Sequence, residues 1–301
     1  MMTNIAVEDT LRRVHPQVYY ASKYMTDKLL RQIQNMSPSD QSLISIEATF
    51  GKMFLSAQQD QAFMPCISTC LGHEVLSELL AMKDWIVEDK WTCMRDIYYT
   101  HKKHMIRTRC VFEDGKTELA HTDGKSIFST NLQFTYCSPK HTVSTLMPTS
   151  SLRHMEPSDV RQDNFDHYLT RVNIKIERPI DEHELRNIIV PSNLVRVSGR
   201  RRFVCCSRSL EDMEWCFDLI YSWQGATIQE AMNHFDRHIP HVSLECKVVH
   251  KNTNVKYDES LLLLLFSSLL LKMQHFISSS PSSATIRKMQ ICHVPVFYPI
   301  D

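Results

Sequence analysis

Apolar and polar residues alternate along Leu43–Gly51 (Leu-Ile-Ser-Ile-Glu-Ala-Thr-Phe-Gly), the period of a strand whose two faces meet different surroundings. Ser45, Glu47 and Thr49 fall on one face; Ile44, Ile46 and Ala48 fall on the other. The same alternation returns near the far end of the chain, in His241–Lys247. Between the two, strand-like stretches follow one another at 96–99, 104–112, 125–136, 168–177, 193–206 and 214–223, with a turn at Glu113-Asp114-Gly115-Lys116. About eight strands at short spacing, mostly without helices between them, predict an antiparallel barrel rather than a parallel α/β sheet.

A helical period brackets these strands. Residues 8–36 carry apolar or aromatic positions at Val18, Tyr19, Met25, Leu29, Leu30 and Ile33, with Pro16 marking a break or a start. Leu71, Val75, Leu76, Leu79, Leu80 and Met82 make the apolar side of a helix over 69–84. A short helix is expected at 227–237 and a leucine-rich one at about 259–276, then a Ser/Pro hinge at 278–283 and a strand-like tail at 289–300. Residues 138–166, with Pro139, Pro148 and Pro157 among small polar residues, read as a loop insertion because strands resume at Tyr168. The expectation is a mainly β α+β chain. It forms one domain over 1–301: an N-terminal helical segment (1–40), a closed, tunnel-like antiparallel barrel of eight strands (41–250) and a C-terminal helix and tail (251–301).

Composition narrows the function. Formal net charge is zero, from 34 basic and 34 acidic residues, which argues against a uniformly basic nucleic-acid coat but allows a local basic groove. Only 6 glycines are present and no GxxxxGK[ST] occurs, so a Gly-rich phosphate loop is not expected. Ten cysteines without CxxC pairs argue against zinc-finger chemistry and suit reduced thiols in a nuclear or cytoplasmic protein, cellular or viral. No signal peptide is evident at the start, and the longest apolar run, Leu261–Leu271, is too short to span a bilayer, so no membrane association is expected.

Period-two counting then gives the strands charged faces: Arg107 and Arg109; Arg171, Asn173, Lys175 and Glu177; Arg196, Ser198, Arg200 and Arg202; Cys216, Asp218 and Ile220. One such face is commonly solvated. Repeated over five strands of a sheet that closes, inward cations need carboxylates or an anionic ligand, and Glu47, Glu177, Asp218 and Glu245 are the candidate partners. Mixed Arg, Lys and Glu suit metal-assisted phosphoryl transfer, in which carboxylates hold Mg²⁺ or Mn²⁺ and basic groups grip phosphate oxygens.

These stretches resemble, in order, the motifs of the metal-dependent RNA 5′-triphosphatases of the triphosphate tunnel family, the fungal, protozoan and viral enzymes that begin mRNA capping. Ser45-Ile46-Glu47-Ala48-Thr49-Phe50-Gly51 is similar to the family's Glu-x-Glu strand running into Phe-Gly, and Asp96–Tyr99 with Ile106-Arg107 to the next two elements. Arg171–Pro179 keeps the spacing of the family's Arg-to-Glu-x-Pro strand. Arg196–Arg202, Trp215–Leu219 and His241–Glu245 resemble the last three. The resemblance covers roughly residues 43–250. It implies Glu47 and Glu245 as ligands of Mg²⁺ or Mn²⁺, and Arg107, Lys125, Arg196 and Arg200 as grips on the triphosphate. It further implies Glu177 and Asp218 as orienting groups, and Arg171, Lys175 and Arg109 as further binding residues. Ser45, Ser198 and Ser243 stand where the family has Glu, Lys and Glu.

Three readings follow. The first is hydrolysis of the γ-phosphate of nascent 5′-triphosphate RNA. The second is a non-catalytic tunnel subunit that binds a partner in a capping or transcription complex. The third is the same fold acting on free polyphosphate or a small triphosphate. A guanylyltransferase would be a separate partner chain, since no Lys-x-Asp-Gly occurs here.

Overall fold

The period-two stretches are strands, and their ladders join end to end into a ring. The computed structural model describes residues 4–55, 61–82, 85–88, 90–101, 104–113, 116–137, 140–144, 168–187, 194–205, 213–250 and 255–279. In chain order these form α1 (Asn4–Val14), α2 (Pro16–Ile33), α3 (Pro38–Gln41), β1 (Ile44–Leu55), β2 (Gln61–Met64) and α4 (Thr69–Ala81). Next come β3 (Trp85–Val87), β4 (Thr92–His101), β5 (His104–Glu113), β6 (Lys116–Cys137), β7 (Lys140–Ser144) and β8 (Leu169–Pro179). The chain continues through α5 (Glu182–Arg186), β9 (Leu194–Cys205), β10 (Met213–Gly225), α6 (Ile228–Arg237), β11 (His241–His250) and α7 (Glu259–Ser279).

The sheet runs β10-β11-β1-β8-β6-β5-β4-β9, and β9 pairs again with β10, so eight antiparallel strands close into a barrel with helices on its flank. Closure removes the exposed edges that an open sheet of this size would carry. Residues opposite each other in an antiparallel ladder point to the same side, so the register carries one face around the ring. Glu47 lies opposite Asn173 and Lys247, and Thr49 opposite Arg171 and Glu245. Asp218 lies opposite Glu245 and Arg202, Arg196 opposite Asp96, and Asp96 opposite Arg109. That face points inward, and the interior is charged.

The apolar core therefore lies outside the barrel. Ile44, Ile46, Ala48 and Phe50 of β1 turn outward together with Ile174, Phe217, Leu219, Val242 and Leu244, and all are fully buried under helices. Across them α7 lays Leu262, Leu265, Phe266, Leu269, Leu270, Met273 and Phe276, spaced at three and four residues so that one stripe faces the sheet. Each such side chain contributes about 1.5–3 kcal/mol by leaving water. Helix starts follow local chemistry: Pro16 opens α2, and Ser68 and Thr227 accept backbone N–H bonds at 3.2 Å as N-caps of α4 and α6. No helix among the described residues is long and apolar enough to cross a membrane.

Several expectations are adjusted. The 8–36 helix is two helices broken at His15, and the 125–136 strand begins at Lys116, running 22 residues as β6. Within the expected 138–166 loop, Lys140–Ser144 forms β7 against β6; the rest of that segment, like the 289–300 tail, lies outside the described residues. Strand β2 was not anticipated. It folds back on β1 and brings the Phe63 ring and the Met64 carbonyl over Gly51, where a Cβ would sit 2.2 Å from the carbonyl oxygen and 2.5 Å from the ring. Gly51→Ala is expected to lower stability by about 2–3 kcal/mol through this clash, measured as a shift in the urea midpoint; a wild-type midpoint would show that β2 moves aside freely.

Candidate anion-binding tunnel

Strand β9 organises the interior. Its inward positions are Arg196, Ser198, Arg200 and Arg202, and a buried aspartate stands on each flanking strand. On β4, Asp96 accepts a bidentate pair from Arg109 at 2.7 and 2.8 Å, a third bond from Arg196 at 2.8 Å and one from the Tyr98 hydroxyl at 3.3 Å. On β10, Asp218 accepts a bidentate pair from Arg202 at 2.7 and 2.8 Å and lies 2.8 Å from Lys247 Nζ. Both aspartates are 0% exposed. Burial alone would raise their carboxyls, but Arg109 and Arg196 around Asp96, and Lys247 and Arg202 around Asp218, hold both far below the ordinary range. Two carboxylates thus fix four cations.

A second cluster spans β1, β8 and β5. Lys175 Nζ sits 3.0 Å from Glu47 Oε2 and 3.1 Å from Glu177 Oε1, and Arg107 reaches the same Glu177 oxygen at 3.6 Å. The other Glu47 oxygen accepts from Asn173 Nδ2 at 3.1 Å. Burial pushes the Glu177 carboxyl up, and the charges of Lys175 and Arg107 outweigh it, so it stays ionised. Lys247 also approaches Glu245 at 3.4 Å, linking this cluster to Asp218.

Two inward arginines lack such anchors. Arg200 lies between the fixed Arg196 and Arg202, with Thr92 Oγ1 at 3.5 Å and Glu88 at the long distance of 3.9 Å. Arg171 donates to Asn131 Oδ1 at 2.9 Å and stacks 4.1 Å from the centroid of Phe63. Burial lowers the pKa of both, the direction expected of a cation taken from water without a close counter-charge. Moreover, Arg196 Nε, Ser198 Oγ and Arg200 Nε are buried without a hydrogen-bond partner, at three consecutive inward positions of β9. Unpaired buried polar atoms are costly, and this row on the inward face makes β9 the candidate place for a ligand's oxygens, although Arg95 Nε and Arg201 Nε, off that row, are likewise buried without a partner.

The structure thus brings together Glu47, Arg107, Arg109, Lys175, Glu177, Arg196, Arg200, Asp218 and Glu245. It sets Arg171 apart, beside Phe63 and Asn131. It places Lys125 outside: its ladder partner is Ile176, whereas Gly124 and Ser126 take the inward places opposite Glu177 and Lys175. Lys125 was assigned through the family resemblance alone, and the register of β6 against β8 gives it the outer face. Four interior residues were not assigned from sequence: Asp96, Asn173, Arg202 and Lys247. Counting by two already puts Asn173 and Arg202 on charged faces without a role, and Asp96 and Lys247 lie within stretches already quoted.

A resident metal fits this donor set poorly. Among the described residues no group of three His, Cys, Asp or Glu could hold an ion. Glu47 and Glu245 are diagonal neighbours across β1 and β11, and the position two residues before Glu47 is the neutral Ser45. Mg²⁺ or Mn²⁺ favours about six close oxygens with anionic ones among them.

No protein-family model matches the sequence, and no curated protein matches it. Among solved structures the chain is similar to the S. pombe Pct1 RNA triphosphatase, with 14% identity over 90% of this chain and 88% of that one and a TM-score of 0.45. It is also similar to the Mimivirus capping-enzyme triphosphatase (8% identity, 86% and 98% coverage, TM-score 0.44) and to the PH1819 protein from Pyrococcus horikoshii (11% identity, 77% and 89% coverage, TM-score 0.36).

The depressed aspartates set an acid limit. A carboxyl whose folded pKa lies below its unfolded value of 3.8 contributes stability that is complete above that value and lost as pH falls through the folded one. The free energy of unfolding should therefore stay level, for these two groups, from neutral pH to about pH 4 and then fall steeply. Asp96→Asn, which strands two guanidinium groups, is expected to cost about 3–5 kcal/mol at pH 7. Urea titrations across pH read both effects; stability unchanged at pH 2–3 would refute the assignment.

Proposed function

We propose that the barrel takes in the 5′-triphosphate end of RNA and releases its terminal phosphate, the step that precedes guanylyl transfer in cap formation. The observation that carries this reading is the row of Arg196 Nε, Ser198 Oγ and Arg200 Nε, buried without a partner beside cations that Asp96 and Asp218 fix, Arg196 among them. A linear polyanion with several oxygens matches a row of donors along a strand, and a closed polar tunnel admits a chain end better than a compact ligand. The ordered likeness of the strand motifs to tunnel-family triphosphatases supports RNA as the substrate.

In this reading the chain's own groups do two things. Arg196, Arg200 and Arg107 bind the phosphates and offset charge that grows on their oxygens in the transition state. Asp96 and Asp218 spend their lone pairs on arginine and lysine, so they hold those grips in place rather than touch the water. Glu177 is ionised and partly exposed, with Lys175 and Arg107 both on its Oε1, and its Oε2 can orient an attacking water in line.

A second reading keeps the binding and omits turnover. Its support is that Glu47 already uses both oxygens, on Lys175 and Asn173. Phosphate release from triphosphate-ended RNA, NTP and tripolyphosphate, each with and without Mn²⁺, separates the two and ranks the substrates. Arg200→Ala is expected to lower kcat/KM by about 10²–10³-fold, the usual cost of one preorganised charge donor, whereas Lys125→Ala on the outer face leaves it unchanged. An Arg200→Ala enzyme with full activity would sink the proposal; tight binding of triphosphate-ended RNA with no turnover under any condition would select the second reading.

A further inference from the structure

Two ammonium groups hold the places at which a tunnel of this kind could keep a cation. Lys175 Nζ bridges Glu47 and Glu177 at 3.0 and 3.1 Å. Lys247 Nζ bridges Asp218 and Glu245 at 2.8 and 3.4 Å. Each is an ammonium set among carboxylate oxygens and partly buried. The spacing is that of N–H···O bonds, wider than the roughly 2.0–2.1 Å at which Mg²⁺ holds oxygen.

We propose that this tunnel binds its polyphosphate without a resident divalent cation, Lys175 and Lys247 supplying the counter-charge that an ion held by Glu47 and Glu245 would otherwise supply. The inference rests on the polyphosphate reading of the site. Three observations converge on it. Among the described residues, Glu47, Glu177, Asp218 and Glu245 each contact one of these lysines, and Asp96 contacts an arginine pair. Glu47 already meets Asn173 with one oxygen and the Lys175 ammonium with the other. Ser45, on the inward face beside Glu47 and opposite Lys175, brings a neutral hydroxyl where a third carboxylate would complete a hard-cation site. An ion settling there would compete with the charge-assisted Lys175 contact and bring a second positive charge close to that ammonium. An ammonium has fixed charge and three donors, so it also keeps Glu47 and Glu177 ordered between ligands.

Calorimetry on the full chain tests this with tripolyphosphate and Mn²⁺ as probes. Tripolyphosphate is expected to bind in EDTA with an affinity within about tenfold of that in Mn²⁺. Mn²⁺ alone is expected to give neither binding heat nor a rise in Tm. Lys175→Met, which leaves Glu47 and Glu177 without their ammonium, is expected to lose stability in EDTA and to recover it when Mn²⁺ is added, a response absent from the wild type. If that variant does not fold, Ser45→Glu should gain the same response by adding the missing ligand. Mn²⁺ binding to the wild type that disappears in Glu47→Gln overturns the inference. So does tripolyphosphate binding that requires Mn²⁺, or a folded variant that gains no response to the ion. Failure of tripolyphosphate to bind under either condition refutes the polyphosphate reading itself, and the titration with Mn²⁺ alone still decides the cation question separately.

Discussion

Closing a sheet around arginine and lysine creates an obligation that the remainder of this structure meets. Each inward cation loses water, and the effective penalty is several kcal/mol per ion unless a partner stands within reach. Asp96 and Asp218 meet most of it, each binding an arginine at both oxygens and a second cation besides. Their positions on β4 and β10, the two strands that flank β9, leave the centre of β9 as the place where positive charge is held without a close carboxylate. The site is in that sense a remainder, made by where the pairing stops.

The division of labour between the two faces follows from the same closure. An interior filled with charge cannot serve as a hydrophobic core, so the barrel turns its aliphatic side outward and relies on α2, α4 and α7 to cover it. The leucine-rich stretch is accounted for here: its stripe packs on the sheet and on α2. The helices thus support a tunnel to which they contribute no site residue.

Much of this was legible in the sequence because a strand's period is short and the faces differ so sharply. Arg196, Arg200, Asp218 and Glu245 follow from counting by two, since those strands run without interruption. Lys125, named only through the family resemblance, lies on the outer face, because Gly124 and Ser126 take the inward places without charge or bulk to announce them. The buried role of Asp96 was hidden for a different reason, since a lone aspartate among Tyr98, Tyr99 and Arg95 shows no partner until β5 and β9 supply theirs from 13 and 100 residues away. Net charge was a poor guide. A balanced total conceals that cations and carboxylates are sorted by face, and sorting is a property of the register, not of composition.

Placing the apolar core on the outer surface of the barrel has a consequence for how such a chain drifts over generations. Interior positions that anchor no cation, such as Ser45, can change with less effect on folding than the aspartates, so selection sees them chiefly through ligand chemistry. The aspartate anchors and the leucine stripe enjoy no such freedom. Divergence should therefore collect at the lining of the tunnel while its scaffold persists, and a lineage could retune what the barrel holds without having to rebuild it.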